Sequence, residues 1–447
     1  MSKQASPHPE RAATEVVRAL QEHGHEAYFV GGSVRDMIRG ETPPDRDIDI
    51  ATDATPDEVT AIFKPSKLVG AHFGVVIVVQ DGVNIEVATF RADGEYMDGR
   101  RPESVTFTDA EGDVARRDFT INALLYNPIT KQVIDHVGGQ KDIEARLIRA
   151  IGDPHERFAE DHLRLLRAAR FAGRLGYDVE PKTARAIRDL AGKIQTVSAE
   201  RIAEELKKVL LNKGRERCFR LMEGLGLLQH ILPEVSAMVG VEQPPNWHPE
   251  GDVFEHTMLA LSLLDRPSLE LAWGVLLHDV GKPVTIVHED RIRYPAHEAV
   301  GGKMAADICR RLKMSNESRD RIVYLVKRHM CFKDVEKMRL STLKKHLGHP
   351  GFDELLELHR VDALASNGDL SYCNFCIEKL QELGEERVKP EPLITGHDLI
   401  RLGLEPGPVF SEILSTIQDE QLDETLTTRK DALARARELG EQSHRKD

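Results

Sequence analysis

Strand-like patterning crowds into the first third of the chain. Residues 27–30 (AYFV), 48–51, 75–79 and 85–90 are short runs rich in β-branched or aromatic side chains, the composition of strands. Asp81-Gly82 between the last two reads as a hairpin turn, because glycine tolerates the positive φ that such a turn needs. Helical patterns separate the earlier strands over residues 10–23, 33–39 and 56–63. Residues 1–145 therefore read as one mixed α/β domain. After Gly138-Gly139 the strand signal disappears. From Arg157 onward apolar residues recur at helical spacing: Leu163, Leu166, Ala169 and Phe171, then Leu206, Val209 and Leu210. Proline- and glycine-rich stretches at 243–251 and 390–396 interrupt this periodicity and mark domain boundaries.

Length and charge bound the class. The 447 residues suffice for two to four domains with real cores. The formal net charge of −13, taken alone, argues against a nucleic-acid binder, because phosphate backbones demand Lys and Arg. The longest apolar runs, 73–79 and 271–277, are far too short to span a membrane, and the N-terminal residues lack the apolar core of a signal peptide. Five scattered cysteines suit a reducing compartment rather than a disulfide scaffold. The expectation is an acidic, multidomain, cytoplasmic protein with no membrane partner.

Two motifs near the N-terminus change that picture. In YFVGGSVRDMIRG a glycine pair sits between a strand and a helix. Gly31 and Gly32 let a ligand approach the backbone, the helix start favours an anion such as phosphate, and Arg35 one turn on can fork onto the same anion. An ordinary strand–helix turn has the same look. In DRDIDIAT, strand alternation sends Asp47 and Asp49 to one face. Two carboxylates there repel unless a cation lies between them. Mg²⁺ is the natural answer, since it takes one or two carboxylates plus substrate phosphates; a solvated strand edge is the alternative. Glu86 in NIEVATFR stands as a third carboxylate or as a surface residue. A phosphate-cradling turn beside a metal-holding DxD suggests metal-assisted nucleotidyl transfer.

These residues resemble the class II tRNA nucleotidyltransferase and bacterial poly(A) polymerase family. The likeness continues in order through EVATFRADGEYMDGRRPESVTF, RRDFTINALLYN, DHVGGQKDIEARLIRAIGDPHERFAEDHLRLLRAARFAGRLG and ERIAEELKKVL, about residues 27–210. The resemblance implies that Asp47 and Asp49 hold catalytic Mg²⁺. It implies that Gly31, Gly32, Arg35 and Arg117 hold the triphosphate, and that Arg100-Arg101-Pro102 lies in a loop that switches nucleotide specificity. It also makes Asp161, Arg164, Arg167 and Arg170 a nucleotide-recognition helix. Chemistry supports the last assignment independently. Asp161 and Arg164 are three residues apart and would share a helix face. An ionised Asp only accepts hydrogen bonds and an Arg only donates, whereas cytosine and adenine present an amino donor beside a ring-nitrogen acceptor. The pair therefore fits C and A and rejects G and U; a surface salt bridge is the plainer reading. Residues 157–220 carry 16 Lys and Arg against 9 Asp and Glu, a net of +7, which leaves −20 on the remainder. A basic neck on an acidic body can attract an RNA backbone locally.

A second set of residues lies in the C-terminal half. His256, His278-Asp279, His297, His329 and Asp362 follow the order H…HD…H…H…D, which resembles the HD superfamily of metal-dependent phosphohydrolases. The resemblance makes His256, His278, Asp279 and Asp362 the core ligands of a divalent transition metal, with His297 and His329 able to hold a second ion or bind phosphate. Cys373-x-x-Cys376 has no second such element and reads as core rather than as a zinc site. The fold expected is α+β: a polymerase-beta-like mixed-sheet nucleotidyltransferase head (1–145), then an all-α neck that binds nucleotide and RNA (146–240), an HD domain (241–385) and an RNA-binding helical tail (386–447). The leading function is CCA addition, the transfer of CMP and AMP from CTP and ATP to a tRNA 3′ end, with no DNA partner. A-adding, CC-adding and poly(A)-adding enzymes are alternatives. A phosphohydrolase whose N-terminal half only binds RNA is a reading of another class.

Overall fold

The computed structural model describes residues 9–41, 47–68, 74–93, 105–244 and 251–443. They form two compact units that divide between Ser236 and Ala237.

The first unit opens with α1 (Pro9–Glu22), which buries Ala12, Ala13, Val16, Val17 and Leu20 on one face. There follow β1 (Ala27–Val30), α2 (Gly32–Ile38), β2 (Asp49–Thr52), α3 (Pro56–Ile62), β3 (Ser66–Leu68), β4 (Val75–Gln80) and β5 (Val83–Thr89). Next come β6 (Arg91–Asp93), β7 (Val105–Phe107), α4 (Ala110–Ala115), β8 (Leu125–Asn127) and β9 (Gln132–Ile134). A mixed seven-stranded sheet results, ordered β3-β4-β5-β2-β1-β8-β9. Only β2 and β5 pair in parallel, with Ile50 opposite Val87. β4 and β5 form the expected hairpin, and Asp81 and Gly82 both take positive φ, at 50° and 78°. Alternation along β5 buries Ile85, Val87 and Thr89 and turns Asn84 and Glu86 outward. The core beneath the sheet gathers Val30, Ala51, Phe90, Val114, Ala123, Leu125 and Ile151.

The helical remainder of this unit carries α5 (Gly139–Glu144), β10 (Leu147–Ile148), α6 (Pro154–Glu160), α7 (Leu163–Leu175), β11 (Asp178–Val179), α8 (Pro181–Leu190), α9 (Ala199–Leu210) and α10 (Arg215–Gly224). Strand structure therefore does continue past Gly139. β10 and β11 pair in parallel, and Val287–His288 pairs with Ile292–Arg293 in the second unit. Two-residue strands are too short to leave an alternating signal, which is why the periodicity shows only helices. The apolar residues of α7 are buried, and Gly173 sets its approach to α10. A Cβ there would lie 2.7 Å from the Cys218 backbone nitrogen, so only glycine lets the two helices close.

In the second unit, Leu269–Leu277 (LELAWGVLL) is buried from Leu271 through Leu277 and serves as the central helix. Ser268 caps it by accepting from the Leu271 N–H. Helices Val253–Ser262, Asn316–Arg328 and Phe352–Ala365 pack against it. The C-terminal helices close over Ile394, Leu399, Ile413, Ile417, Ala432 and Ala436. Cys373 and Cys376 are buried within this unit. Among the described residues, no helix is long and apolar enough to cross a membrane.

Candidate active site

The first unit holds a cavity of about 610 Å³ between the sheet and α7, lined by ten Lys and Arg side chains against four carboxylates. Asp113, Glu160 and Glu205 behind the lining offset part of that charge, and the excess that remains favours an anionic ligand.

At one end lie the glycine turn and the carboxylates. Gly31 takes φ 74° as it hands β1 to α2, and a Cβ there would lie 3.8 Å from Asp49 Oδ2 and 3.9 Å from Arg117 Nη1. Asp49 starts β2, and Asp47 precedes the strand on the approach to it. Because β2 and β5 run parallel with Ile50 opposite Val87, Glu86 stands beside Asp49. Asp49 opens to solvent, yet the packed strands strip enough water from it to raise its pKa to about 6; Glu86 and Asp47 push the same way and Arg117 opposes. Three oxygen donors that repel one another in this way are a donor set that fits a hard divalent cation.

A polar network fixes the arginines. Arg35 donates through Nη1 to Asn122 Oδ1 at 2.7 Å, and Asn122 donates to Asp118 Oδ1 at 3.2 Å. Asp118 Oδ2 accepts from Arg167 Nη2 at 2.6 Å. Arg117 pairs with Asp113 at 2.8 Å, and Arg170 with Glu205 at 2.6 Å. Burial alone would raise Asp118 and Glu205. The facing arginines outweigh it and hold both carboxyls below their usual range. Phe171 lies among three guanidinium groups, its ring centroid 4.1 Å from Arg170, 5.3 Å from Arg167 and 5.5 Å from Arg35. Asp118, Asn122 and Glu205 had no role in the motif reading, although RRDFTIN and ERIAEELKKVL contain them. Acids embedded in basic motifs were the available signal.

One expected relationship differs. Asp161 does not lie on the helix that carries Arg164; it caps α6, and α7 begins at Leu163. The two side chains line the same cavity but make separate bonds. Asp161 Oδ1 accepts from the Leu163 N–H at 3.0 Å and Oδ2 from Arg201 Nη2 at 2.7 Å. Arg164 donates to the carbonyls of Arg157 and Arg116 at 2.9 and 3.1 Å and pairs with Glu160. Asp161 favours its backbone turn because a short carboxylate competes with helical hydrogen bonding there. Arg100-Arg101-Pro102 lies outside the described residues, as do residues 245–250 of the first expected boundary.

The second unit brings its six predicted residues together. His256, His278 and Asp362 form one potential ligand group, and Asp279, His297 and His329 form another. His256 Nε2 lies 3.0 Å from Asp362 Oδ1 and 3.3 Å from His278 Nε2. Asp279 turns Oδ2 toward His278 at 3.3 Å and Oδ1 toward His297 at 3.4 Å and His329 at 3.7 Å. Three imidazoles are oriented by backbone carbonyls: His278 Nδ1 on Val275 at 2.7 Å, His297 Nδ1 on Tyr294 at 3.0 Å and His329 Nδ1 on Val326 at 2.7 Å. A neutral imidazole that donates from Nδ1 leaves a lone pair on Nε2. The Nε2 atoms of His297 and His329 lie 3.2 Å apart, a separation bridged by a proton on one ring or by a cation. Burial, reinforced by His278, lowers the His329 pKa to about 3 and so favours the neutral, ligating form. Burial would raise both carboxyls, but Lys282 and His278 hold Asp279 far below its usual range, and His256 and His278 do so for Asp362. Imidazole nitrogens with carboxylate oxygens, oriented from behind by carbonyls, fit a divalent transition metal. Lys282 adds a cation, 2.6 Å from Asp279 Oδ2 and 2.7 Å from Gln243 Oε1. The cavity over these groups measures about 540 Å³.

The head defines a class, the nucleotidyltransferases built on a poly(A) polymerase head, and the corresponding family model, "Poly A polymerase head domain", matches residues 27–149. Two further models match: "Probable RNA and SrmB- binding site of polymerase A" over 176–238 and tRNA nucleotidyltransferase domain 2 over 299–436. A CCA-adding enzyme of Geobacillus sp. (strain WCH70) is 32% identical over 417 residues, 92% of each chain. One from Bacillus pumilus (strain SAFR-032) is 39% identical over 270 residues; that match takes in 60% of this chain and 63% of the relative's length. A crystal structure of the Bacillus stearothermophilus CCA-adding enzyme in complex with CTP superposes with a TM-score of 0.75 at 27% identity, over 98% of this chain and 99% of that one. The chain belongs to the CCA-adding enzyme family of tRNA nucleotidyltransferases.

Proposed function

We propose that this protein adds CMP and AMP, from CTP and ATP, to the 3′ end of a tRNA without a template and with release of pyrophosphate. The observation that carries the reading is one cationic cavity that joins the Asp49–Glu86 carboxylates to Asp161 and Arg164. Gly31, Gly32, Arg35 and Arg117 hold the triphosphate at the carboxylate end. Asp161 accepts the exocyclic amino group of cytosine or adenine, and Arg164 donates to the adjacent ring nitrogen. Arg167 and Arg170, held by Asp118 and Glu205, keep the cavity wall in place. Asp47 and Asp49, with Glu86 beside them, would hold Mg²⁺, which when bound supplies charge neutralisation for the transferring phosphoryl group. The tRNA 3′-hydroxyl then attacks the α-phosphate and pyrophosphate leaves. This work is cytoplasmic on our reading, and the head, neck, HD domain and tail boundaries at 145, 240 and 385 are part of the proposal. The test is transfer from radiolabelled CTP, offered alone, to a tRNA that lacks its 3′ CCA. Incorporation by the wild type and none by Asp47→Ala/Asp49→Ala supports the reading; incorporation of ATP alone into long tails defeats it.

The two ligand groups of the second unit support a second activity, metal-dependent hydrolysis of a phosphate ester. His256, His278, Asp279 and Asp362, with His297 and His329, would hold the transition metal. When bound it supplies Lewis acidity and an activated water. Lys282 stands beside Asp279 to offset phosphate charge. Release of phosphate from a nucleotide ester by the wild type, lost in His278→Ala/Asp279→Ala, is the expected result. Release that persists in that variant removes the activity from this site.

A further inference from the structure

Phe171 stands on the seam between two helices of the cavity wall. Arg35 reaches its ring from α2 at 5.5 Å, and Arg167 and Arg170 reach it from α7 at 5.3 and 4.1 Å. All four side chains line the cationic cavity. Each guanidinium meets a carboxylate at its edge: Arg35 with Asp36 at 2.8 Å, Arg167 with Asp118 at 2.6 Å and Arg170 with Glu205 at 2.6 Å. The N–H donors lie in the guanidinium plane, so such a bond leaves that plane free to tilt about the bonded edge. An aromatic ring attracts the cation in another direction and restrains the tilt. The ring of Phe171 is itself set by Phe119, which is fully buried and meets it at 5.9 Å in a T-shaped contact. Three like charges around one point repel. Burial lowers the pKa of Arg170 most, Glu205 opposes it, and Arg167 lowers it further. More carboxylates would quiet that repulsion only by cancelling the charge that an incoming polyanion must feel. A neutral ring draws the three cations together and leaves their charge intact.

We propose that Phe171 is a positioning residue for the triphosphate: its ring holds Arg35, Arg167 and Arg170 in the arrangement that receives the polyphosphate chain. This inference rests on the nucleotidyl-transfer reading, which puts a triphosphate in this cavity. Leucine at the position keeps an apolar side chain but has no ring to attract a cation. Tyrosine keeps the ring. The loss should therefore fall on the polyphosphate part of the nucleotide and not on the base.

The test has two readouts on the full chain, for wild type, Phe171→Leu and Phe171→Tyr. The first is the calorimetric Kd for inorganic tripolyphosphate in EDTA, a probe with neither base nor sugar. The second is KM and kcat for CTP on a tRNA lacking CCA. In Phe171→Leu the tripolyphosphate Kd should rise roughly tenfold, and the CTP KM should rise with it while kcat falls less. Phe171→Tyr should stay closer to the wild type in both. A Leu variant that binds tripolyphosphate as the wild type does overturns the inference. So does a rise in the CTP KM alone, which would put the ring on the base, or a fall in kcat alone, which would make its role merely structural. If Phe171→Leu does not fold, Phe171→Met, also without a ring, takes its place under the same criteria. A wild type that binds tripolyphosphate but transfers neither CMP nor AMP fails the underlying reading instead, so the two failures are distinct.

Discussion

His297 and His329 point Nε2 atoms at each other across 3.2 Å, and each donates its Nδ1 to a carbonyl three residues before it. Neither ring can turn to relieve the contact without breaking that backbone bond. A proton or a cation can lie between the two rings, and a metal that takes that place should couple its binding to stability. Addition of Mn²⁺ or Ni²⁺ in the presence of excess Mg²⁺ should raise Tm, by up to about 2.7 kcal/mol of stability at a metal concentration one hundredfold above Kd. His297→Ala or His329→Ala should reduce the shift. An unchanged Tm on addition of metal to the wild type would count against the ligand set.

The two activities should separate. His278→Ala/Asp279→Ala is expected to leave nucleotide addition near the wild-type rate while removing metal uptake in the second unit. Loss of addition in a folded double variant would show that the two sites had been divided wrongly.

Asp49 predicts a pH effect of definite sign. Its pKa of about 6 means that protons compete for the metal-binding carboxylate at mildly acid pH. At subsaturating Mg²⁺ the rate of addition should drop as pH falls through 6, and saturating Mg²⁺ should move the drop lower. Glu86→Gln removes one of the causes of the raised pKa, so its midpoint should lie below that of the wild type. Metal-free folding is linked in the opposite sense. The folded state holds the Asp49 proton more tightly than the unfolded chain, so stability declines as pH rises from about 4 to 6. Asp49→Asn should therefore be more heat-stable than the wild type in EDTA at pH 7, and a lower Tm would contradict this.

The ion pairs under α7 predict the reverse pH dependence. Asp118 and Glu205 titrate below their usual range, so their contribution is complete above the unfolded pKa, about 4, and disappears as pH falls through the lower folded values. Asp118→Asn leaves Arg167 without its nearest anion and should cost about 3 kcal/mol at pH 7. Urea midpoints of wild type and variant should converge as pH drops toward 3. A constant gap would mean that packing, not charge, accounts for the loss.

Much of this was legible from local patterns. The β4–β5 hairpin follows from alternation plus Asp81-Gly82, and the meeting of Gly31 with Asp49 from two motifs that adjoin at one end of β1 and β2, whereas Arg117 was expected only from the family resemblance. The H…HD…H…H…D order located six residues that the fold gathers from separate helices and their junctions. What stayed hidden depends on tertiary geometry. Asp161 and Arg164 read as one helix face because spacing is blind to where a helix begins, and here α7 starts at Leu163. Arg201, Asp118 and Glu205 carry the network across 35 to 49 residues of sequence, a pairing that no periodicity encodes.

The central claim is that one cavity accepts both C and A and no other base. It is tested most directly by sequencing the 3′ ends of a tRNA, shortened to the nucleotide before CCA, after incubation with all four nucleoside triphosphates. The account predicts molecules that end in a single CCA, with no U or G added. Tails of repeated A, termination after CC, or U and G at the added positions would contradict it.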